Sequence, residues 1–285
     1  MSKNSSYSRS LAMERGVIYF VCIVLCLMSI LPFAVMFVNA TRDNYSIQQG
    51  MSLIPGDRLL ANLKTLNERQ NFNVLQGMWN SMFIATCTTV LALYFSTLTA
   101  YGLVVYRFRG RQLAFTFIMV VLMIPTQVSM VGFFTFMFKL NLVNTYIPLI
   151  VPAIASPSLV FFMRQYMISG LPLEIVEAAR IDGCSEFGIF ARVVVPVIKP
   201  ALASWASLTV IARWNDFFWP LLFLRKTSKY TLMVSVSMLP TSDGLSTPWQ
   251  VVLAGTTLVI VPSILLYLVM QMFQKEGLTA GAVKG

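Results

Sequence analysis

Histidine is absent from this chain, and only 11% of its 285 residues are charged, about half the usual share of a soluble domain. The missing histidine removes the commonest general base, the commonest metal ligand and the usual pH switch. The low charge excludes a water-soluble enzyme. Four cysteines, Cys22, Cys26, Cys87 and Cys184, form no C-x-x-C and no disulfide framework; they read as small apolar packing residues. No metal-ligand cluster and no nucleophile beside a base can be assembled. A phosphate-binding loop needs G-x-x-x-x-G-K-[ST], and the nearest approach, Gly277-x-x-x-Gly281-x-x-Lys284, has the wrong spacing. The chain is therefore expected to be non-catalytic, with no cofactor and no metal of its own. Acidic residues are also few, 11 against 21 basic, for a net charge of +10. Such a surplus suggests nucleic acid in a soluble protein, but it also gathers beside membrane spans.

What is abundant is apolar surface, 57% of residues. A helix needs about 20 apolar residues to cross a bilayer core of roughly 30 Å. Five stretches free of charge are long enough: between Arg15 and Arg42, Arg69 and Arg107, Arg111 and Lys139, Lys139 and Arg164, and Asp243 and Lys275. A sixth, Ala201 to Leu224, carries Arg213 and Asp216, which lie three apart and can pair near a helix end, facing protein or water, or snorkel to the interface. The expected spans are Val17 to Val38, Trp79 to Val105, Leu113 to Phe138, Tyr146 to Phe162, Ala201 to Leu224 and Val251 to Phe273. The first is too long for the 7 to 15 residue core of a signal peptide, although Val38-Asn39-Ala40 imitates a cleavage site.

Six spans put both termini on one side. Twelve Lys and Arg fall on the terminal side and eight on the other, with Arg213 unassigned. This bias places both termini in the cytoplasm, spreads the positive charge along a membrane surface and leaves no need for nucleic acid. Pro32, Pro125, Pro148, Pro152, Pro157 and Pro262 kink or border the spans. Asn80, Ser81, Thr86, Thr88, Thr89 and Gln127 either line a polar path or join helices by hydrogen bonds. Trp214, Trp219 and Trp249 suit a membrane interface and are not assigned to a sugar.

The 38 residues from Met163 to Pro200 are unusually long for a connection. Pro172 can open a helix whose first turns carry Glu174 and Glu177 at the positive end of its dipole. Its apolar side is expected at Ile175, Ala178 and Ala179, and Asp182-Gly183 should end it. Ser185 can cap a second helix bearing Phe187, Phe190 and Val194, which Pro196 and Pro200 should close. The product is a helix, turn, helix elbow.

Glu177-Ala178-Ala179, Gly183, and Val193-x-Val195-Pro196 reproduce the pattern E-A-A, three residues, G, nine residues, I-x-L-P, with valines for the isoleucine and leucine. The chain thereby resembles the membrane subunits of bacterial ATP-driven importers. Over nearly its whole length, including Glu177 to Leu202, Trp214 to Pro220 (WNDFFWP) and Gly277 to Gly285, it resembles the maltose-type carbohydrate permeases. The resemblance implies an all-α integral membrane protein of the bacterial cytoplasmic membrane. It would be one six-span domain over residues 1–285, with a coupling loop at 163–200 between spans four and five and a cytoplasmic tail at 274–285. It implies that Glu177, Ala178, Ala179, Asp182, Gly183 and Pro196 form a coupling element seated on a separate ATPase, which would hold the ATP and Mg. The implied partners are a second permease subunit, two ATPase subunits and an extracytoplasmic solute-binding protein. That protein would dock on Asn39 to Met78 and Arg225 to Gln250. The expected solute is a sugar or oligosaccharide; a polar non-sugar such as glycerol 3-phosphate, or ion-driven secondary transport, is the alternative.

Overall fold

In the computed structural model, residues 3–68, 72–239 and 248–282 are described, with side chains from 15 to 272 within those ranges, and helix is the regular structure found there. Five helices are long and apolar enough to cross a membrane: Arg15–Ala40, Val74–Val105, Ile147–Gly170, Glu186–Trp214 and Trp249–Met272. The expected all-α membrane fold is thus observed, while several expected boundaries move. By internal contacts the chain forms two units, Met1–Phe72 with Met238–Leu258, and Asn73–Ser237 with Val259–Gly285.

In the first unit, α1 (Lys3–Ala40) contains Pro32, and its large apolar side chains from Val17 to Phe33 are exposed. A helix apolar on all sides is stable where lipid or protein covers it. The segment after it is folded rather than an open loop. Asp43 caps α2 (Asn44–Gln48) by accepting from the Tyr45 and Ser46 amides. The Ser46 hydroxyl, foremost, holds the Asp43 carboxyl below the usual carboxylate range. Arg42 donates to the Ser46 carbonyl at 2.8 Å and to Asn39 Oδ1 at 3.1 Å. Asn62 of α3 (Leu59–Asn67) is buried and donates to the Ala40 and Arg42 carbonyls at 2.8 and 3.0 Å. Arg42, Asp43, Ser46 and Asn62 thus tie this turn together.

The second unit is organised on α4 (Val74–Val105). Gly77, Ser81, Ala85, Ala92, Ser96 and Ala100 recur at multiples of three to four along it and are all buried. Small residues on one face let backbones approach where lipid supplies no hydrophobic drive. At Gly77 a Cβ would stand 3.1 Å from Leu232 Cα of α13 (Leu232–Ser237). Asn80 donates to the Ser228 and Tyr230 carbonyls, and Ser81 Oγ accepts from the Leu232 amide. These two residues are hydrogen-bonded joints between helices, not path-lining groups. Trp214 is likewise structural: it is buried, and its indole N–H donates to Ser263 Oγ at 2.9 Å in α14 (Trp249–Ala282).

Three expected spans need correction. Leu113 to Phe138 is not one helix but α5 (Arg111–Leu122) and α6 (Thr126–Lys139), bent by 92°. Pro125 has no amide hydrogen and pushes Ile124 away from helical backbone, so the break falls there. The fourth span starts as α7 (Ile147–Ile150) and a 3-10 turn at Val151–Ile154, then resumes as α8 (Pro157–Gly170). It therefore extends eight residues past Phe162, and the loop expected from Met163 is correspondingly shorter. The fifth begins with α10 (Glu186–Ile189), passes through a π turn at Phe190–Val194 and continues as α11 (Val195–Trp214). Pro196 and Pro200 do not close a helix; both lie in this continuous rod. The Val195 amide reaches back five residues to the Phe190 carbonyl, and this wider turn accommodates the missing Pro196 N–H. The rod stops at Trp214, and Phe218–Phe223 forms a separate short α12. Of the cysteines, Cys22, Cys26 and Cys184 are exposed on this chain and only Cys87 is partly covered, so three of them do not pack in its core.

Candidate functional site

The elbow is built as its sequence suggests, but it faces differently. α9 (Leu173–Ile181) follows Pro172 and ends at Asp182. Gly183 takes φ +78°, the left-handed conformation that turns the chain. Ser185 Oγ accepts from the Gly188 amide and starts the rod. Val176 and Ala179 are buried and Ile175 partly buried, beneath Met167, Ile189 and Val194. Ala179 is thus turned into the chain's own core and not toward a partner; its small side chain sets how closely α9 lies on the body. Glu177, Ala178, Asp182 and Gly183 are exposed. Pro196 is exposed as well, but a full helical stretch away along the rod. The tip also presents Ile181 and Phe187, 87% and 63% exposed, beside the free Cys184. The tip thus joins exposed apolar side chains to the exposed carboxylates of Glu177 and Asp182.

A polar latch holds the elbow at its angle. Arg180, at the end of α9, reaches across the Gly183 turn and binds Glu186 with both arms, Nε to Oε1 at 2.7 Å and Nη2 to Oε2 at 3.1 Å. Tyr106 donates to Glu186 Oε2, and Tyr101 donates to the same oxygen at 3.3 Å. The Arg180 guanidinium also lies 5.3 Å from the Tyr106 ring centre. Glu186 raises the Arg180 pKa further. Burial, then the Glu186 bond, raises that of Tyr106. One carboxylate therefore fastens both arms of the elbow to the end of α4. The turn after α4 and the elbow consequently lie at the same end of the helices, as the charge placement requires. The elbow motif drew Arg180 and Glu186 into view, but not their pairing, and nothing in the local sequence links Tyr101 and Tyr106 to them.

The second feature is a cavity of about 860 Å³. The break between α5 and α6, the break before α8 and the end of α11 all border it, through Ile124, Thr126, Ser156, Arg213 and Asp216. Arg213 and Asp216 meet at 3.5 Å, as their spacing suggests, at the end of α11, where the sequence places them. Thr88, Trp205 and Trp219 line the same space. Of the expected path residues, Thr88 is there, and it also donates weakly to the Leu149 carbonyl at 3.4 Å. Beyond α12, Asn144 gathers the next segment. Its Oδ1 accepts from the Arg225 and Lys226 amides and its carbonyl accepts from Lys229 Nζ at 2.6 Å. Its φ of +63° identifies it as a turn residue. Asp243, in the expected docking segment, and the last residues of the tail, 283–285, lie outside the described residues.

Residues 92–276 match the family described as "Binding-protein-dependent transport system inner membrane component". The "Arabinooligosaccharides transport system permease protein AraQ" of Halalkalibacterium halodurans is 44% identical over 206 residues, covering 72% of this chain and 73% of that one. The "sn-glycerol-3-phosphate transport system permease protein UgpE" of Pectobacterium atrosepticum is 35% identical over 255 residues, 87% of this chain and 89% of that one. A chain of a crystal structure of "a bacterial ABC transporter involved in the import of the acidic polysaccharide alginate" superposes with a TM-score of 0.80 at 24% identity, covering 93% of this chain and 97% of that one.

Proposed function

The chain belongs to the family of inner-membrane components of binding-protein-dependent transport systems, and from that premise we propose which solute it carries and how it is driven. It is a multi-pass permease subunit of an ABC importer, and it is not the ATPase. In our reading the solute is a sugar or oligosaccharide, delivered by a binding protein outside the cell, and both termini lie in the cytoplasm. A second permease subunit completes the pathway, and two ATPase subunits holding ATP and Mg drive it. Residues 1–285 work as one permease domain.

The observation that carries the coupling role is the elbow's two-sidedness. Val176 and Ala179 fix it to the transmembrane body, while Glu177, Ala178, Ile181 and Asp182 stand free. A lever must be rigidly joined to what it moves and open to what moves it. Closure of the ATPase pair would push the tip, and the rod Glu186–Trp214, continuous with it, would carry that displacement to the cavity as rigid-body motion. Cys184, exposed at the tip, gives a direct test. In the assembled transporter, a short thiol cross-linker should join Cys184 to a cysteine placed in the ATPase surface cleft, and Cys184→Ser should abolish the product. Assembly with the ATPase but cross-linking only from other sites would refute the seating of the elbow. A glycerol phosphate solute is the second reading, favoured by relatives such as UgpE that align over 87% of the chain.

A further inference from the structure

We propose that the cavity bordered by the three helix breaks is a solute-contacting subsite on this chain, in which Arg213, Asp216 and Trp219 hold an uncharged polyhydroxyl solute. This rests on the importer reading and chooses between its two solute classes.

Interrupted backbone is the first ground. Within a bilayer, non-helical backbone is tolerated only where it is buried in protein or borders a watery space, because lipid cannot satisfy its hydrogen bonds. Here two breaks at proline-containing helix starts and one helix end converge on a single space. α6 and α8 begin with no side-chain cap on their first amides, and residues of both starts, Thr126 and Ser156, line the cavity. The Thr126 amide and, past Pro157, which has no N–H, the Ser158 amide can donate to hydroxyl oxygens.

Side-chain chemistry is the second ground. Arg213 and Asp216 touch through one contact of 3.5 Å, and their side chains are 41% and 17% exposed. The guanidinium has five N–H donors, so a single loose contact leaves most of them for a solute. Asp216 is oriented by the Trp219 amide, which donates to its Oδ1 at 3.3 Å. A donor fork beside an acceptor suits the paired hydroxyls of a sugar ring, which donate and accept together. Trp219 supplies an apolar shelf for the C–H face of such a ring. It is held by Phe223, nearly parallel at 4° and 6.1 Å, and by the edge of Phe133 at 6.0 Å. A preset indole loses little freedom on binding.

Charge balance decides the solute class. Among the described lining residues one cation, Arg213, and one anion, Asp216, cancel. The partial positive charge of two helix starts is offset in part by the negative end of α11. A phosphate ester would need a cation not already matched by a carboxylate. Among the described residues that line the cavity there is none.

The experiment uses the whole transporter, with its partner permease, ATPase and binding protein, in proteoliposomes. The probes are a panel of neutral oligosaccharides that includes arabinotriose and maltotriose, together with sn-glycerol 3-phosphate. The wild type should import a neutral saccharide from the panel. Arg213→Gln, Asp216→Asn and Trp219→Ala should each lower that uptake at least tenfold while the transporter still assembles. The doubly neutral R213Q/D216N, which leaves no unmatched charge, guards against misfolding; it should assemble as the wild type does and still import poorly. Asp216→Asn, which frees the cation, should gain uptake of sn-glycerol 3-phosphate relative to the neutral sugar. Uptake within twofold of wild type in all the variants overturns the subsite, as does import of sn-glycerol 3-phosphate with no neutral saccharide. Uptake by the wild type without ATP overturns the importer reading instead, so the two failures are distinct.

Discussion

Replacing Glu186 by Ala removes the carboxylate that joins the two arms of the elbow to the end of α4, and its effect can be worked from the contacts. Four hydrogen bonds end on Glu186, two from Arg180 and one each from Tyr106 and Tyr101. The Arg180 and Glu186 side chains are 35% and 47% exposed, so water screens the pair and its worth falls toward the roughly 0.2–1 kcal/mol of a surface ion pair. The tyrosine bonds, charge-assisted but also partly wet, add about 1 kcal/mol. The total is about 1–2 kcal/mol, or a factor of about 5 to 30 in how often the elbow leaves its seat. The variant should therefore insert and assemble, yet hydrolyse more ATP per solute imported. Amide exchange over residues 173–189 should quicken by that factor. Glu186→Gln, which retains hydrogen bonding but not charge, should fall between. Unchanged exchange and an unchanged ratio of solute to ATP in Glu186→Ala would refute the latch.

Further outcomes follow from the same geometry. Glu177→Lys inverts the charge at the exposed tip without touching the core, so ATP-driven uptake should be lost while the protein still inserts; normal uptake at wild-type protein level would sink the tip's role. Gly183→Pro cannot adopt φ +78° and should likewise abolish uptake. Gly183→Asn tolerates that conformation and has open space for its Cβ, so uptake should remain, at a cost of about 1 kcal/mol in elbow stability on thermal unfolding. Gly77→Val places a methyl-bearing carbon 3.1 Å from the Leu232 backbone, and should lower detergent-solubilised stability by about 1–3 kcal/mol, whereas Gly102→Ala, with nothing within 4 Å, should not.

Hydropathy revealed the helices because a bilayer demands length and apolarity from each span, which is a property of composition. It did not reveal where helices break. Leu113 to Phe138 contains no charge, and the single residue Pro125 converts it to two helices at 92°. Pro196, an equal signal, sits inside a continuous rod. The difference lies in the π turn at Phe190–Val194 and its packing, which are tertiary facts. The elbow was legible for the opposite reason: Pro172, Gly183 and Ser185 act through local backbone conformation. Which face of α9 turns inward was less so, since Ala178 and Ala179 look alike in sequence and only the latter is covered. The latch joins residues 80 apart, and a contact of that range leaves no periodic trace.

The central claim, a permease driven by another subunit's ATP, is tested most directly by solute uptake into proteoliposomes holding this chain with and without its partners. Uptake should appear only when the partner permease, the ATPase, the binding protein and ATP are all present, and should stop when any one is withheld. Accumulation by this chain alone on an ion gradient would contradict the account.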